Sequence, residues 1–301
     1  MKHPVQTTVL LIFLFVVAQL VGIALVFLNI KDIAVVDGTP EVVHDTTALG
    51  ERPELEGGGS FLFILLGVGI GTSLLLVLIK FKLFWLWKVW FFLAVWFSMT
   101  VSFGVLVPVL VAYALALGLA AWKVLRPNVV VHNVTEMFIY AGITVLIAPL
   151  FDLPWMIVLL AAISIYDMIA VWQSKHMVKM AKAQTKANMF AGLYVAKAMK
   201  PRKRVVKKRL EAPKLTKKGE YAILGGGDIA FPLLFSGVVL VWLIESGVAP
   251  LGALCQVLLI TITTTIALTC LFLYSKKGKF YPAMPFLSAG CLLGFGLILL
   301  L

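Results

Sequence analysis

Charge is scarce in this chain of 301 residues: Asp, Glu, Lys and Arg make up 13% of it, against 61% hydrophobic residues. A water-soluble domain of this size could not cover so much apolar surface, which leaves an integral membrane protein. Cysteine is nearly absent. Cys255, Cys270 and Cys291 sit in apolar runs, without metal-ligand spacing or the pattern of a disulfide framework, and are expected as packing residues. The four histidines, His3, His44, His132 and His176, include no pair at ligand spacing, so neither a metal nor another cofactor is expected.

The net charge of +12 would suit a nucleic-acid partner, but its distribution argues against one. Fifteen of the 26 Lys and Arg lie between Gln173 and Glu220, in one loop between apolar runs. That is the footprint of the positive-inside rule, with contact to anionic lipids as a secondary role.

The apolar runs count to nine spans. Val9 to Leu28 is too long for the core of a signal peptide and lacks a small-residue cleavage site, so it reads as a retained first span. The polar linker from Ile30 to Gly59 holds seven of the fourteen acids and ends in Gly57-Gly58-Gly59-Ser60, which reads as a flexible tether. Span two runs from Phe61 to Ile79. Leu83 to Trp122 would be roughly 60 Å long as one helix against a bilayer core of roughly 30 Å, so it divides into spans three and four around Ser102 to Pro108. Trp85, Trp87 and Trp90 around Lys88 resemble an interfacial aromatic belt. Lys123, Arg126, Pro127 and His132 read as a polar loop. Met137 to Trp172 divides at Asp152-Leu153-Pro154 into spans five and six. Tyr221 to Ile244, Leu251 to Tyr274 and Phe286 to Leu301 are spans seven to nine.

The expected fold is therefore an all-α polytopic membrane protein in the cell membrane, with one transmembrane domain over 1–301. Residues 1–172 hold spans one to six, 173–220 form the basic loop and 221–301 hold spans seven to nine. Basic loops follow the even-numbered spans and acidic ones follow spans one, five and seven, which puts the N-terminus in the cytoplasm and the C-terminus outside. In the basic loop, Met177, Met180, Phe190, Leu193 and Tyr194 among lysines suggest an interfacial amphipathic helix within Lys175 to Lys200, and the like charge from Pro201 to Lys218 suggests disorder.

Two acids stand apart. Glu136, Asp152, Glu211, Glu220 and Glu245 read as loop or span-end residues, leaving Asp167 and Asp228 inside apolar spans. Asp167 lies eight residues before Lys175 and Asp228 eight residues after Glu220, so as helices both sit roughly 12 Å from the same boundary. Ionisable groups inside a membrane are costly and mark function. The bland alternative is that each satisfies a neighbouring helix by hydrogen bonding, but two at matched depth on consecutive antiparallel helices can face each other. Carboxylates a few ångströms apart share a proton. That is the state aspartyl proteolysis uses: one takes a proton from water while the other polarises a carbonyl.

Gly225-Gly226-Gly227 precede Asp228. They permit close helix packing, but three together also weaken a helix by about 1 kcal/mol each relative to Ala, leaving backbone free to meet a substrate as a strand edge. Tyr281-Pro282-Ala283-Met284-Pro285 begins span nine in the same leaflet as both aspartates.

Tyr166-Asp167, Gly225-Gly226-Gly227-Asp228 and Pro282-Ala283-Met284, in order on spans six, seven and nine, resemble the YD, GxGD and PAL motifs of presenilins and signal peptide peptidases. The resemblance covers the whole chain. It implies an intramembrane aspartyl protease with Asp167 and Asp228 as the catalytic pair. It further implies that Tyr166, Gly225, Gly226, Gly227, Pro282, Ala283 and Met284 shape the site, and that the substrates are transmembrane segments or signal-peptide remnants. Met284 stands where the family has leucine, a nearly isosteric exchange. The compact chain resembles archaeal members, and the inferred orientation resembles presenilin, which favours substrates with an external N-terminus. Prepilin peptidases share a GxGD aspartate but follow it two places later with lysine, where Ala230 stands here. The rival from another class is a proton-coupled transporter or cation channel using both aspartates as a relay, a class that often shows paired half-repeats not visible in this chain.

Overall fold

The computed structural model describes residues 5–36, 38–53, 55, 57–173, 190–196, 221–275 and 281–301. Nine α-helices occur among them: α1 (Val5–Leu28), α2 (Gly58–Lys80), α3 (Phe84–Gly104), α4 (Val109–Leu125), α5 (Val129–Ile147), α6 (Leu153–Met168), α7 (Gly227–Glu245), α8 (Pro250–Tyr274) and α9 (Met284–Ile298). Seven stretches are long and apolar enough to cross a membrane, and α4 and α9 are shorter apolar helices. The breaks fall where the chain chemistry demands them. Pro108 precedes α4, a 3₁₀ turn Ala148–Leu150 carrying Pro149 ends α5, and Pro154 sits in the first turn of α6.

The bundle is built around α1, α5 and α7, which contact one another, while α8 and α9 pair closely at the side. Helix α7 is the most enclosed; Phe235, Leu233 and Leu240 are fully buried against α1 partners such as Phe15 and Ile23 in one continuous core. Helix α2 is the most open, with Leu62, Phe63, Leu66 and Ile70 facing outward. Helices α8 and α9 approach through small residues, since a Cβ at Gly294 would lie 2.7 Å from Ile260 Cα.

Two hairpins mark opposite ends of the bundle. Strands β1 (Ile30–Val36) and β2 (Thr39–His44) pair antiparallel, with Gly38 just before β2 at φ 84°. This hairpin rests on the end of α7, where Val42 N–H donates to Glu245 Oε1 at 3.4 Å. Arg52 pins the linker by donating to Asn29 Oδ1 (2.6 Å), Asp45 O (2.9 Å) and Val145 O (3.1 Å). At the other end β3 (Gly192–Ala196) pairs antiparallel with β4 (Tyr221–Gly225), in register Gly192↔Gly225 and Tyr194↔Ile223.

Several expectations change. Gly57-Gly58-Gly59-Ser60 is not a tether: α2 begins at Gly58, Gly58 faces the Trp155 ring, and buried Ser60 Oγ donates to Leu150 O. Span seven begins at Gly227 rather than Tyr221, because Tyr221–Gly225 is extended and satisfies its backbone with β3. Leu193 and Tyr194 lie on that strand, not on an amphipathic helix. Phe190 just before it is described and not helical either, whereas Met177, Met180 and the segment Pro201 to Lys218 lie outside the described residues. Lys123 and His132 are not loop residues and Glu136 is not at a span end: the Asn128 side chain caps α5 by accepting from Val130 N–H (2.9 Å), so all three lie inside α4 and α5. Cys291 is buried as expected, but Cys255 and Cys270 are exposed on the outer face of α8.

Candidate active site

Asp167 lies in the last turn of α6 and is 3% exposed, just before a π-helical segment Ile169–Gln173. Its Oδ2 accepts the Met284 N–H at 3.1 Å, one of the first N–H groups of α9. These N–H groups are unpaired because they open α9, and the positive end of that helix points at the acid. Pro282 is buried beside them, and α9 is short because it starts inside the bundle at the level of Asp167. Buried Ser164 and Ser288 hydroxyls, 2.8 Å apart, lock α6 to α9.

Asp228 is the second residue of α7, just after β4, with its carboxylate beside Gly225. Strand, turn and helix thus set Asp228 at the start of α7, at the end of the bundle where β3 and β4 pair. The depth count from Glu220 to Asp228 assumed a helix, whereas five of those residues, Tyr221–Gly225, are extended. Pro232 has no N–H and leaves the Asp228 carbonyl without its helical partner. One residue on, the Ile229 carbonyl is held by buried Gln19 Nε2 from α1 at 3.0 Å.

None of the three glycines has positive φ. Their use is close approach. A Cβ at Gly226 would lie 2.6 Å from Tyr140 Oη, one at Gly225 would lie 3.1 Å from Asp228 Oδ2, and one at Gly227 would meet only Phe231 ring carbons at 3.6 Å. Tyr166 directs its hydroxyl towards α2, 3.4 Å from Thr72 Oγ1. Asp167 is held by Met284 at the start of α9, Asp228 lies beside Gly225 at the start of α7, Gly226 packs on Tyr140, Pro282 and Ala283 lead into α9, and Tyr166 ties α6 to α2.

A cluster not read from the sequence lies directly behind. On α5, His132, Glu136 and Tyr140 occupy one face at four-residue spacing. Glu136 Oε1 pairs with Lys123 Nζ at 2.5 Å, both side chains buried. Glu136 Oε2 accepts from Tyr140 Oη and, at 3.0 Å, from Gly192 N–H. His132 Nε2 bonds Gly192 O (2.8 Å), and Asn133 bonds both backbone groups of Tyr194 (2.8 and 2.9 Å). The Asn128 cap signal and the i, i+4, i+8 spacing could have exposed this face in the sequence. An apolar cavity of about 530 Å³ opens between α2, α5 and α7, lined by Phe63, Gly67, Ile70, Ile143 and Phe231, the last only three residues beyond Asp228.

Residues 12–301 match the family described as signal-peptide peptidase, presenilin aspartyl protease. Two solved structures share the fold, each described as a presenilin family intramembrane aspartate protease. One, in a C222 space group, is 15% identical, with a TM-score of 0.55 and coverage of 96% of this chain and 94% of that one. The other, in a P2 space group, is 17% identical, with a TM-score of 0.56 and 96% of both chains covered. No curated protein matches this chain.

Proposed function

The chain belongs to the signal-peptide peptidase, presenilin aspartyl protease family, an aspartic endopeptidase in a multi-pass membrane fold, and we propose that Asp167 and Asp228 are its catalytic pair. The observation that supports this reading is the place of the two acids: each is at a helix end inside the bundle, Asp167 held by the first N–H of α9 and Asp228 at the start of α7 directly after β4. In the proposed reaction one carboxylate takes a proton from water as the water oxygen attacks the scissile carbonyl carbon. The other, protonated, gives its proton to the carbonyl oxygen. The tetrahedral diol then collapses, the C–N bond breaks, and a proton passes to the leaving nitrogen.

The substrates are transmembrane segments or signal-peptide remnants. A helix hides its carbonyls in its own hydrogen bonds, so cleavage needs an extended stretch, and the β3–β4 sheet supplies a template. The outer edge of β3 is closed by His132, Asn133 and Glu136, which occupy the backbone of Gly192 and Tyr194. Register then turns the backbone of Ile223 on β4 to the opposite edge, where it has no strand partner among the described residues, on the strand that leads to Asp228. A substrate strand added there would lie beside the acids, with its apolar continuation in the cavity against α2. The cytoplasmic N-terminus, the cell membrane as location and anionic lipid at the basic loop remain part of this proposal, on the charge distribution.

The test is cleavage of a transmembrane peptide by purified protein in liposomes, with Asp167→Asn and Asp228→Asn alongside. Each substitution should abolish cutting; full activity in either would remove the pair.

A further inference from the structure

A buried ion pair is a poor way to stabilise an apolar bundle, since desolvating two charges offsets their attraction and an apolar pair of similar volume is often as good or better. The Lys123–Glu136 pair, with side chains 3% and 1% exposed, therefore calls for a reason other than stability. Its contacts supply one. Lys123 comes from α4 and also bonds Thr135 Oγ1 at 3.0 Å. The charge it balances on Glu136 is spent on two donors, Gly192 N–H of β3 and Tyr140 Oη. Gly192 has φ 145°, and a Cβ there would lie 2.2 Å from Leu224 O, so this is the tightest point of the β3–β4 pairing. Tyr140 Oη is the group against which Gly226 packs, and Gly226 N–H in turn bonds Ala191 O at 3.2 Å. Beyond its pair with Lys123 on α4, the Glu136 carboxylate thus bonds Gly192 on the sheet and Tyr140 on α5, the side chain on which the turn before Asp228 packs.

We propose that Glu136, charge-balanced by Lys123 and acting through Tyr140 and Gly192, is a positioning residue for proteolysis. It fixes the glycine turn against α5 so that Asp228 meets Asp167 while β4 keeps its open edge at the acids. This rests on the catalytic-pair reading. The carboxylate suits the task because it accepts from several directions at once, and the lysine paired with it brings donors but no acceptor of its own.

Two variants test it in liposomes against a transmembrane peptide. Lys123→Met with Glu136→Leu removes the pair without stranding a charge; Tyr140→Phe removes only the hydroxyl between Glu136 and Gly226. Tyr140→Phe should keep the thermal midpoint of the wild type, and the double variant, which leaves Gly192 N–H and Tyr140 Oη without their acceptor, should fold with a lower one; in both, kcat should fall about 100-fold with KM changed by less than about threefold, the signature of misplaced chemistry rather than lost binding. If the double variant does not fold, Tyr140→Phe decides alone. A folded variant with kcat within about threefold of the wild type, or a loss carried entirely by KM, would overturn the proposal. Asp228→Asn in the same assay keeps the two readings apart: cutting by that variant refutes the catalytic pair, whereas its inactivity beside a fully active Tyr140→Phe refutes only the positioning role.

Discussion

Gly226→Ala places the whole account under a single methyl group. The backbone at Gly226 is already helical, at φ −64° and ψ −36°, so alanine fits its conformation and would favour the helix by up to about 1 kcal/mol. Against this, the new Cβ would lie 2.6 Å from Tyr140 Oη and 3.1 Å from its Cε1 and Cζ. The first contact falls about 0.8 Å short of the 3.4 Å at which ordinary contact begins. Tyr140 is 3% exposed and its hydroxyl is bonded to Glu136, which is itself held by Lys123 and Gly192. The ring cannot retreat, so the turn must. Overpacking costs about 1–3 kcal/mol, partly offset by the helix gain, and stability should fall only modestly. Activity should fall far more, since a displacement near 1 Å at reacting groups costs about 100-fold. The assay is cleavage of a fluorogenic transmembrane peptide, with a thermal melt of the same preparation. On a Tyr140→Phe background, where only the 3.1 Å contacts remain, the additional loss should be smaller. Gly226→Ala cutting within about threefold of the wild type would refute the reasoning.

Ile223→Pro removes the outward N–H of β4 while leaving the bonds to β3 intact; cleavage of a transmembrane peptide should fall about tenfold or more in a protein that still folds, as measured by turnover and circular dichroism. Met284→Leu should leave turnover within about threefold, because the bond to Asp167 comes from the backbone and the side-chain volumes are close. His44, outside the membrane, is held down to about 4 by burial and by the Arg52 charge, and neither ring nitrogen has a partner. The unfolded chain therefore takes up its proton first as pH falls, so this stability is complete above about pH 6.5 and declines towards pH 4. A melt at pH 5 should show a loss of up to about 2 kcal/mol relative to pH 7 that His44→Gln reduces.

Much of this arrangement is legible in the residues, for reasons that differ by element. Length against bilayer thickness divides Leu83 to Trp122 and Met137 to Trp172 correctly, because no single helix can carry such runs across. Asp167 and Asp228 stand out because charge in an apolar run needs a cause. The strands are harder to read. Tyr221–Gly225 is as apolar as the helix that follows, and its extended state depends on pairing with Gly192–Ala196, which no local pattern announces. Glu136 escapes notice because counting charges outward from the apolar runs assigns it to a span end, whereas the Asn128 cap starts the helix two turns earlier. Gln19 looks like an isolated polar residue in α1 until the Ile229 carbonyl is placed beside it.

The most direct measurement is the turnover of a transmembrane peptide in liposomes by the wild type, Asp167→Asn, Asp228→Asn and the double variant at one lipid composition. Two acids acting as one unit predict that each single substitution abolishes cutting and that the double is no worse than either. Measurable turnover in either single variant, with the protein folded, would contradict it.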